Sequence, residues 1–165
     1  MVRIGVLSDT HLPDSAEARA FLQELAGRHF ADVELILHAG DIVACGVLAA
    51  FAPCPVYGVR GNMDAADPEL PYRRVLHVAG LRIGLIHGWG PPTKLLARIR
   101  REFADTPLDC LVFGHSHEPL CQQEAGLLLF NPGSATDRRD QPVCSVGLLE
   151  IEGGAIRGRI IALEA

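Results

Sequence analysis

Aromatic side chains are scarce in this 165-residue chain: six Phe, two Tyr and a single Trp, 5% of the sequence. Its core must therefore be built from aliphatic residues, which the 48% hydrophobic content supplies. No apolar run approaches the roughly 18 residues that would suggest a bilayer span, so no membrane partner is expected. No C-x-x-C pair occurs, and the five cysteines (Cys45, Cys54, Cys110, Cys121, Cys144) are odd in number. That counts against a disulfide framework or a Cys-rich zinc site. Cys110 lies inside an apolar run and is expected in the core. Basic residues are outnumbered 15 to 20, for a net charge of −5, which counts against nucleic acid as a general partner. There is no low-complexity linker and no repeat of 20–50 residues. Val2–Leu7 is too short for a signal peptide and runs straight into Asp9 and His11, so a cytoplasmic protein is the expectation. The length suits one domain over residues 1–165.

What the chain does have is a recurring pattern. Five short apolar runs each end abruptly in residues that can bind metal. Arg3–Leu7 leads into Ser8-Asp9-Thr10-His11, and Glu34–Leu37 leads through His38-Ala39 into Gly40-Asp41. Val56–Val59 precedes Gly61-Asn62-Met63-Asp64, and Leu81–Ile86 precedes His87-Gly88. Cys110–Phe113 runs into Gly114-His115-Ser116-His117. Runs this short and rich in Val, Ile and Leu read as buried strands of a largely parallel sheet. In open α/β sheets, ligand groups gather at the carboxyl ends of strands, so the five endings are expected to meet.

The first half reads as β-α-β-α-β. A helix is predicted over about Ser15–His29, with Asp14 or Ser15 as N-cap and Phe21, Leu22 and Leu25 on its apolar side. A short helix through Val43–Phe51 stops at Pro53. Val75–Val78, Ala79-Gly80 and Leu81–Ile86 read as a hairpin. After Pro91-Pro92 a second helix runs through about Thr93–Phe103, its Lys94, Arg98, Arg100 and Arg101 on the solvated side. Strand Leu108–Phe113 follows, and then an all-β tail of Leu127–Phe130, Val143–Ile151 and Ile156–Leu163. The fold class expected is α/β, with two mixed β-sheets packed as a sandwich and helices outside.

Singly, the motifs are weak: Asp9-x-His11 could be a cap beside a surface histidine, and Gly40-Asp41 a common turn. His115-x-His117 is stronger, because imidazoles are seldom paired merely for packing. Together, Asp9, His11, Asp41, Asn62, His87, His115 and His117 form a hard N/O set without thiolates. Such a set suits Mn²⁺, Fe²⁺, Zn²⁺ or Ni²⁺. Seven ligands are too many for one tetrahedral zinc but suit two ions sharing a carboxylate. Two divalent ions with only two carboxylates leave a positive field that suits phosphate.

The order Asp-x-His, Gly-Asp, Gly-Asn-x-Asp, His-Gly, Gly-His-x-His resembles the calcineurin-like metallophosphoesterase superfamily. Within it, the chain is similar to the small single-domain phosphodiesterases of bacteria and archaea. The likeness reaches Asn131-Pro132-Gly133-Ser134. It implies a phosphoesterase, first of all a phosphodiesterase, acting on a small phosphoester through a hydroxide activated by two metals. Mn²⁺ is the first choice, with Ni²⁺, Fe²⁺ and Zn²⁺ as alternatives. The resemblance assigns Asp9, His11 and His117 to one ion and Asn62, His87 and His115 to the other, with Asp41 bridging. Asp41, Asn62 and His115 are the residues it places closest to the chemistry.

Three departures stand out. Much of the superfamily has histidine after the Gly-Asn pair, thought to protonate the leaving group; Met63 stands here, and a thioether supplies no proton. The small relatives also commonly lack that histidine. His-Gly-His is replaced by His87-Gly88-Trp89, whose indole is either a stacking surface or simple packing. Arg138-Arg139 stands where relatives often have Pro-Arg. His38 is read as a structural or ligand-orienting histidine, Asp64 as a holder of the Asn62 turn, and His29 and His77 as surface residues. Two other readings remain: a non-catalytic metal-binding or protein-interaction scaffold of the same fold, Vps29-like, and a nuclease. A homo-oligomer is left open.

Overall fold

The computed structural model describes residues 1–164. Two five-stranded sheets face one another. The first runs, in spatial order, β10 (Ala155–Ala162), β9 (Ser145–Glu152), β1 (Val2–Leu7), β2 (Leu35–His38) and β3 (Val56–Gly58). The second runs β4 (Arg73–Val78), β5 (Leu81–Ile86), β6 (Cys110–Val112), β8 (Leu127–Asn131) and β7 (Leu120–Glu124). Strands β1, β2 and β3 pair in parallel, as do β5, β6 and β8; the remaining pairings are antiparallel. This is the mixed two-sheet sandwich that the apolar runs predict.

The apolar residues sort by the alternation of a pleated strand. Ile4, Val6 and Leu37 meet Ile83, Leu85, Val112 and Phe130 between the sheets. Leu7 and Ile36 point the other way, against helix α1 (Ala16–His29). Ile86, Leu111 and Leu129 pack beneath helix α2 (Leu95–Arg101). Ser15 caps α1 by accepting the Ala18 N–H at 3.1 Å, and Ala18, Leu22 and Leu25 form its buried stripe. Phe21, expected on that stripe, lies at the edge and is exposed.

Three elements differ from expectation. The helix expected from Val43 is a 3₁₀ helix beginning at Cys45, because Val43 is held in a left-handed conformation (φ 78°) and bridges to Leu12. Helix α2 starts only at Leu95, after a left-handed Lys94. Strand β7 had no signal at all: its residues are almost all exposed and polar, and it is an edge strand made by pairing with β8. A strand without a buried face writes no alternation into the sequence.

Phe130 packs directly against the facing sheet. This fully buried ring from β8 lies against the backbone of β9 at Gly147, where an added Cβ would fall 2.3 Å from Cε1 and 2.5 Å from Cζ. Gly147→Ala should therefore overpack the sandwich and cost about 1–3 kcal/mol in urea unfolding. Phe130→Leu in the same chain should recover part of the loss. Additive losses would show that the two positions do not share this contact.

Candidate metal centre

The carboxyl ends of β1, β2, β3, β5 and β6 lie along one edge of the sandwich. The parallel pairing of β1 and β2 continues past the strands: Asp9 N donates to Gly40 O at 3.0 Å, and His11 N to Asp41 O at 3.0 Å. Gly114 N likewise donates to His87 O at 3.1 Å. Backbone hydrogen bonds, rather than side-chain affinity, bring the motif loops side by side.

Each carboxylate is held by one oxygen and aims the other inward. Asp9 Oδ2 accepts the Ser8 hydroxyl at 2.5 Å and the His115 N–H at 3.0 Å. Its Oδ1 lies 3.3 Å from His117 Nε2, 3.8 Å from His87 Nε2 and 3.9 Å from His11 Nε2. Asp41 Oδ1 accepts the Met63 N–H at 2.8 Å, while Oδ2 lies 3.3 Å from His87 Nε2 and 3.8 Å from His11 Nε2. The imidazoles are arranged likewise. His87 Nδ1 faces the Ala39 carbonyl at 2.7 Å and His117 Nδ1 the Asp137 carbonyl at 2.6 Å. A carbonyl can only accept, so each Nδ1 carries the proton and each Nε2 is turned to the centre. Asn62 Oδ1 meets His87 Nε2 at 3.0 Å.

The result is a buried cluster short of hydrogen bonds. Among the described residues, Asp9 Oδ1, His11 Nε2 and His117 Nε2 have no hydrogen-bond partner. Buried polar atoms without partners are costly, and here three converge on one point. Two groups of side chains are close enough to hold an ion, Asp9–His11–His117 and Asp9–Asp41–His87. The donor set is all nitrogen and oxygen, which fits a hard or borderline divalent cation. His115 stands apart from both groups: its Nε2 meets the Gly90 carbonyl at 2.8 Å, and its ring sits edge-on to His87 with centroids 5.3 Å apart.

The backbone records the same convergence. Asp9, His11, Asp41, His115 and His117 all have φ between 47° and 71°. Left-handed non-glycine residues cost about 1–3 kcal/mol each and persist only where their surroundings force them.

Electrostatics couple the acids to the imidazoles. Burial favours neutral Asp9, yet the His117 imidazole beside its Oδ1 and the charge of His87 hold it below the usual carboxylate range. Asp41 is also lowered: its burial is outweighed by the adjacent His87 imidazole. Burial opposes charge on His87 and His117, but Asp41 raises the first and Asp9 the second.

Residues outside the motifs hold the loops. Asp64 accepts from the N–H groups of Asp41 (2.9 Å), Gly61 (2.8 Å) and Val43 (2.7 Å), so it ties the Asp41 loop to the Asn62 turn. Ser134 Oγ donates to Asp9 O at 2.7 Å, and Thr136 Oγ1 to Thr10 O at 2.8 Å. Asn131 Nδ2 reaches Gly114 O and Ser116 Oγ. No sequence signal pointed to Ser8 or Thr136; the Asn131–Ser134 motif was the only hint of this brace. Arg138 and Arg139 are exposed, the first donating to Gln141 O and the second 3.9 Å from the Asp137 carboxylate. His77 is exposed and His29 half-buried. Arg98, expected on a solvated face, is instead folded back onto the carbonyls of Trp89 and Thr93.

A family model described as the calcineurin-like phosphoesterase superfamily domain matches residues 2–154. The chain belongs to the calcineurin-like phosphoesterase superfamily. It is 38% identical over 161 residues to a probable metallophosphoesterase of Methanothermobacter thermautotrophicus, covering 96% of this chain and 91% of that one. Among solved structures, a Vps29 variant from Entamoeba histolytica is 26% identical, with a TM-score of 0.69 and coverage of 99% and 100%. An archaeal phosphodiesterase, 20% identical, shares the fold with a TM-score of 0.74 and coverage of 97% and 100%. As a calcineurin-like phosphoesterase, the chain falls in a metal-dependent family and carries residues able to bind metal.

Two predictions follow from this geometry. Saturating Mn²⁺, at about a hundred times its Kd, should add about 3 kcal/mol and raise the melting temperature by roughly 5–10 °C over EDTA-treated protein. Asp9→Asn should remove most of that gain; an unchanged gain would mean that metal binds elsewhere. The second concerns His38, fully buried between Gly40 N–H (3.2 Å, to Nδ1) and Thr10 Oγ1 (3.0 Å, from Nε2). Burial pushes its pKa down from 6.5 to about 4. Between those values the unfolded chain takes up a proton that the native protein refuses, so this contribution is full above pH 6.5 and lost as pH falls towards 4. The stability difference between the protein and His38→Gln should narrow by about 3 kcal/mol from pH 7 to pH 4 in urea titrations. A constant difference would show that His38 titrates normally.

Proposed function

We propose that this protein is a phosphodiesterase with a dinuclear metal centre, Mn²⁺ being the first candidate, and that the chain forms one catalytic unit. The observation that carries the reading is the pair of half-held carboxylates: Asp9 Oδ1 and Asp41 Oδ2 are left free by the protein and face three imidazole Nε2 atoms within 4 Å. Asp9, His11 and His117 would hold one ion and Asn62, His87 and His115 the other, with Asp41 between them. When bound, the two ions supply an acidified water and positive charge facing the phosphate.

The side chains do the rest. Asp9 and Asp41, kept ionised by their imidazole neighbours, fix the negative charge that retains the ions. His87 and His117 are locked in one tautomer by carbonyls, so they present Nε2 without reorientation. His115, whose Nε2 meets the Gly90 carbonyl, would face the substrate in this reading. Met63 is exposed and has no acidic proton to give, so the departing group would leave as a stable anion or take its proton from water.

The archaeal phosphodiesterase supports this reading at the level of fold, and the Methanothermobacter relative supports phosphoester hydrolysis more broadly. The Vps29 likeness favours a second reading, a scaffold of the same fold without turnover. The convergence of three unpartnered buried atoms weighs against a scaffold that binds no metal, whereas a metal-binding scaffold is separated from the enzyme by turnover.

With Mn²⁺, the protein should hydrolyse bis(p-nitrophenyl) phosphate. Asp41→Ala should abolish the reaction, and His115→Ala should lower kcat/KM by roughly 10²–10³-fold. Protein that binds two ions per chain yet turns over neither diesters nor monoesters would overturn the enzyme reading. An empty or single-ion site after Mn²⁺ incubation would favour the scaffold.

A further inference from the structure

Beside the Asn62 edge of the centre lies an open pocket of about 510 Å³. Asn62 and Gly61 form its inner end, and Trp89, Tyr72, Pro68 and Leu70 contribute mostly apolar walls. A phosphate held at the metal centre would thus have its organic substituent adjoining this pocket. The chain's single tryptophan and one of its two tyrosines both face it, in a sequence that otherwise uses few aromatics.

The aromatic wall is built rather than incidental. The Trp89 and Tyr72 ring centroids lie 6.1 Å apart with their planes tilted by 47°, so the two rings form adjoining walls of the pocket. Tyr72 is 51% exposed, so part of its side chain is open to solvent. Trp89 is fixed from behind. Gly88 and Gly90 on either side have φ of 103° and 76°, and Arg98 donates to the carbonyls of Trp89, Pro91 and Thr93. The indole also packs, half-buried, against the Ile86–Leu95–Ile99 cluster beneath helix α2. The facing loop is equally restrained: Arg60 N donates to Pro71 O at 2.9 Å and Leu70 N to Asp67 O at 3.0 Å.

Polar groups suited to a ring's edge stand at the rim. The Arg60 Nε donates to Asp64 O at 3.2 Å, while its terminal nitrogens have no hydrogen-bond partner among the described residues. Asp67 adds a carboxylate, one oxygen of which accepts the Glu69 N–H. A flat ring on Trp89 and Tyr72 would meet one donor and one acceptor at its edge.

We propose that this pocket is the substrate's organic subsite and takes a flat aromatic ring, aryl or nucleobase, attached to the phosphate held at the metal centre. The proposal rests on the phosphoesterase reading above and adds the substrate class. Stacking on an aromatic side chain is worth enough for about a ten-fold or greater preference over an aliphatic substituent.

Because Trp89 is the only tryptophan, its emission reports this subsite alone. The metal-loaded protein would be titrated with phenylphosphonate against methylphosphonate, and with adenosine 5′-monophosphate against ribose 5-phosphate. Fluorescence and calorimetry would both be recorded. Each aromatic ligand should change the emission saturably and bind about ten-fold more tightly than its aliphatic partner. Trp89→Leu should erase that advantage and Trp89→Phe should keep most of it. Tyr72→Ala, at an exposed ring, should reduce it and serves if the Trp89 variants do not fold. Whichever aromatic ligand binds with the larger advantage identifies the ring as aryl or nucleobase. Equal binding within both pairs, no binding by either aromatic ligand, or a full advantage surviving in folded Trp89→Leu would overturn the proposal. Turnover without a ring preference would remove the subsite alone, whereas ring-dependent binding without turnover would remove the esterase reading alone.

Discussion

Two buried carboxylates beside three imidazoles set the terms for the rest of this structure. Left to themselves, Asp9 and Asp41 would repel one another and lose their hydration. Both are nevertheless held below the ordinary carboxylate range by the His117, His87 and His11 imidazoles beside them. The fold fixes one oxygen of each with protein donors and leaves the other free. That asymmetry separates a binding centre from a structural ion-pair network, in which every lone pair would be satisfied. It also explains the surrounding backbone. Five left-handed non-glycine residues in the same loops are a concentrated cost, and the backbone bonds that fuse the loops are what sustain it.

Support for the centre comes from residues with no chemistry of their own. Asp64 collects three N–H groups from two loops on the two oxygens of one side chain. Gly61 lies so close that an added Cβ would fall 2.2 Å from Asp41 Oδ1, so the Asn62 turn can approach only without a side chain there. His38 contributes a neutral imidazole that accepts from Gly40 and donates to Thr10, linking the first two motifs. Each of these residues shapes the site through another residue's position, which is why removing one is felt first as stability.

How much of this was legible in the sequence varies with the physics involved. The parallel strands β1, β2, β5 and β6 are buried on both faces and announce themselves as apolar runs, so the sandwich and the edge that carries the motifs could be read directly. Asp64 was legible too, since a carboxylate three residues after glycine is a common turn holder. Strand β7 was not, because pairing with β8 creates it and no buried face marks it. The 3₁₀ helix was misplaced at its start because Val43 is pulled into the Leu12 bridge by a contact far away in sequence. Arg98 was misread for a similar reason. Helical spacing put it on the solvent side, but a local search for carbonyl acceptors turned it back over the Trp89 loop. At the centre, residue identity was visible, whereas which oxygen or nitrogen faces inward depends on partners such as Ser8, Met63 N and Asp137 O, which no motif records.

Two of the three departures from the family pattern flank candidate metal-binding residues, Met63 beside Asn62 and Trp89 two residues after His87. Met63 removes the usual proton donor, and Trp89 replaces an imidazole in the motif that follows His87. Both changes withdraw titratable groups from the Asn62 side of the centre while leaving the carboxylate side intact. What stands there instead is a thioether on the surface and an indole beside the Tyr72 ring. An aromatic wall cannot move a proton, but it can hold a ring in register with a phosphate anchored a few ångströms away. Rate enhancement in such a site would come from positioning and charge on the carboxylate side, with selectivity supplied by surface on the other. The same division accounts for the rigid bracing of the Trp89 loop by Arg98: positioning is effective only when the wall is as fixed as the anchor.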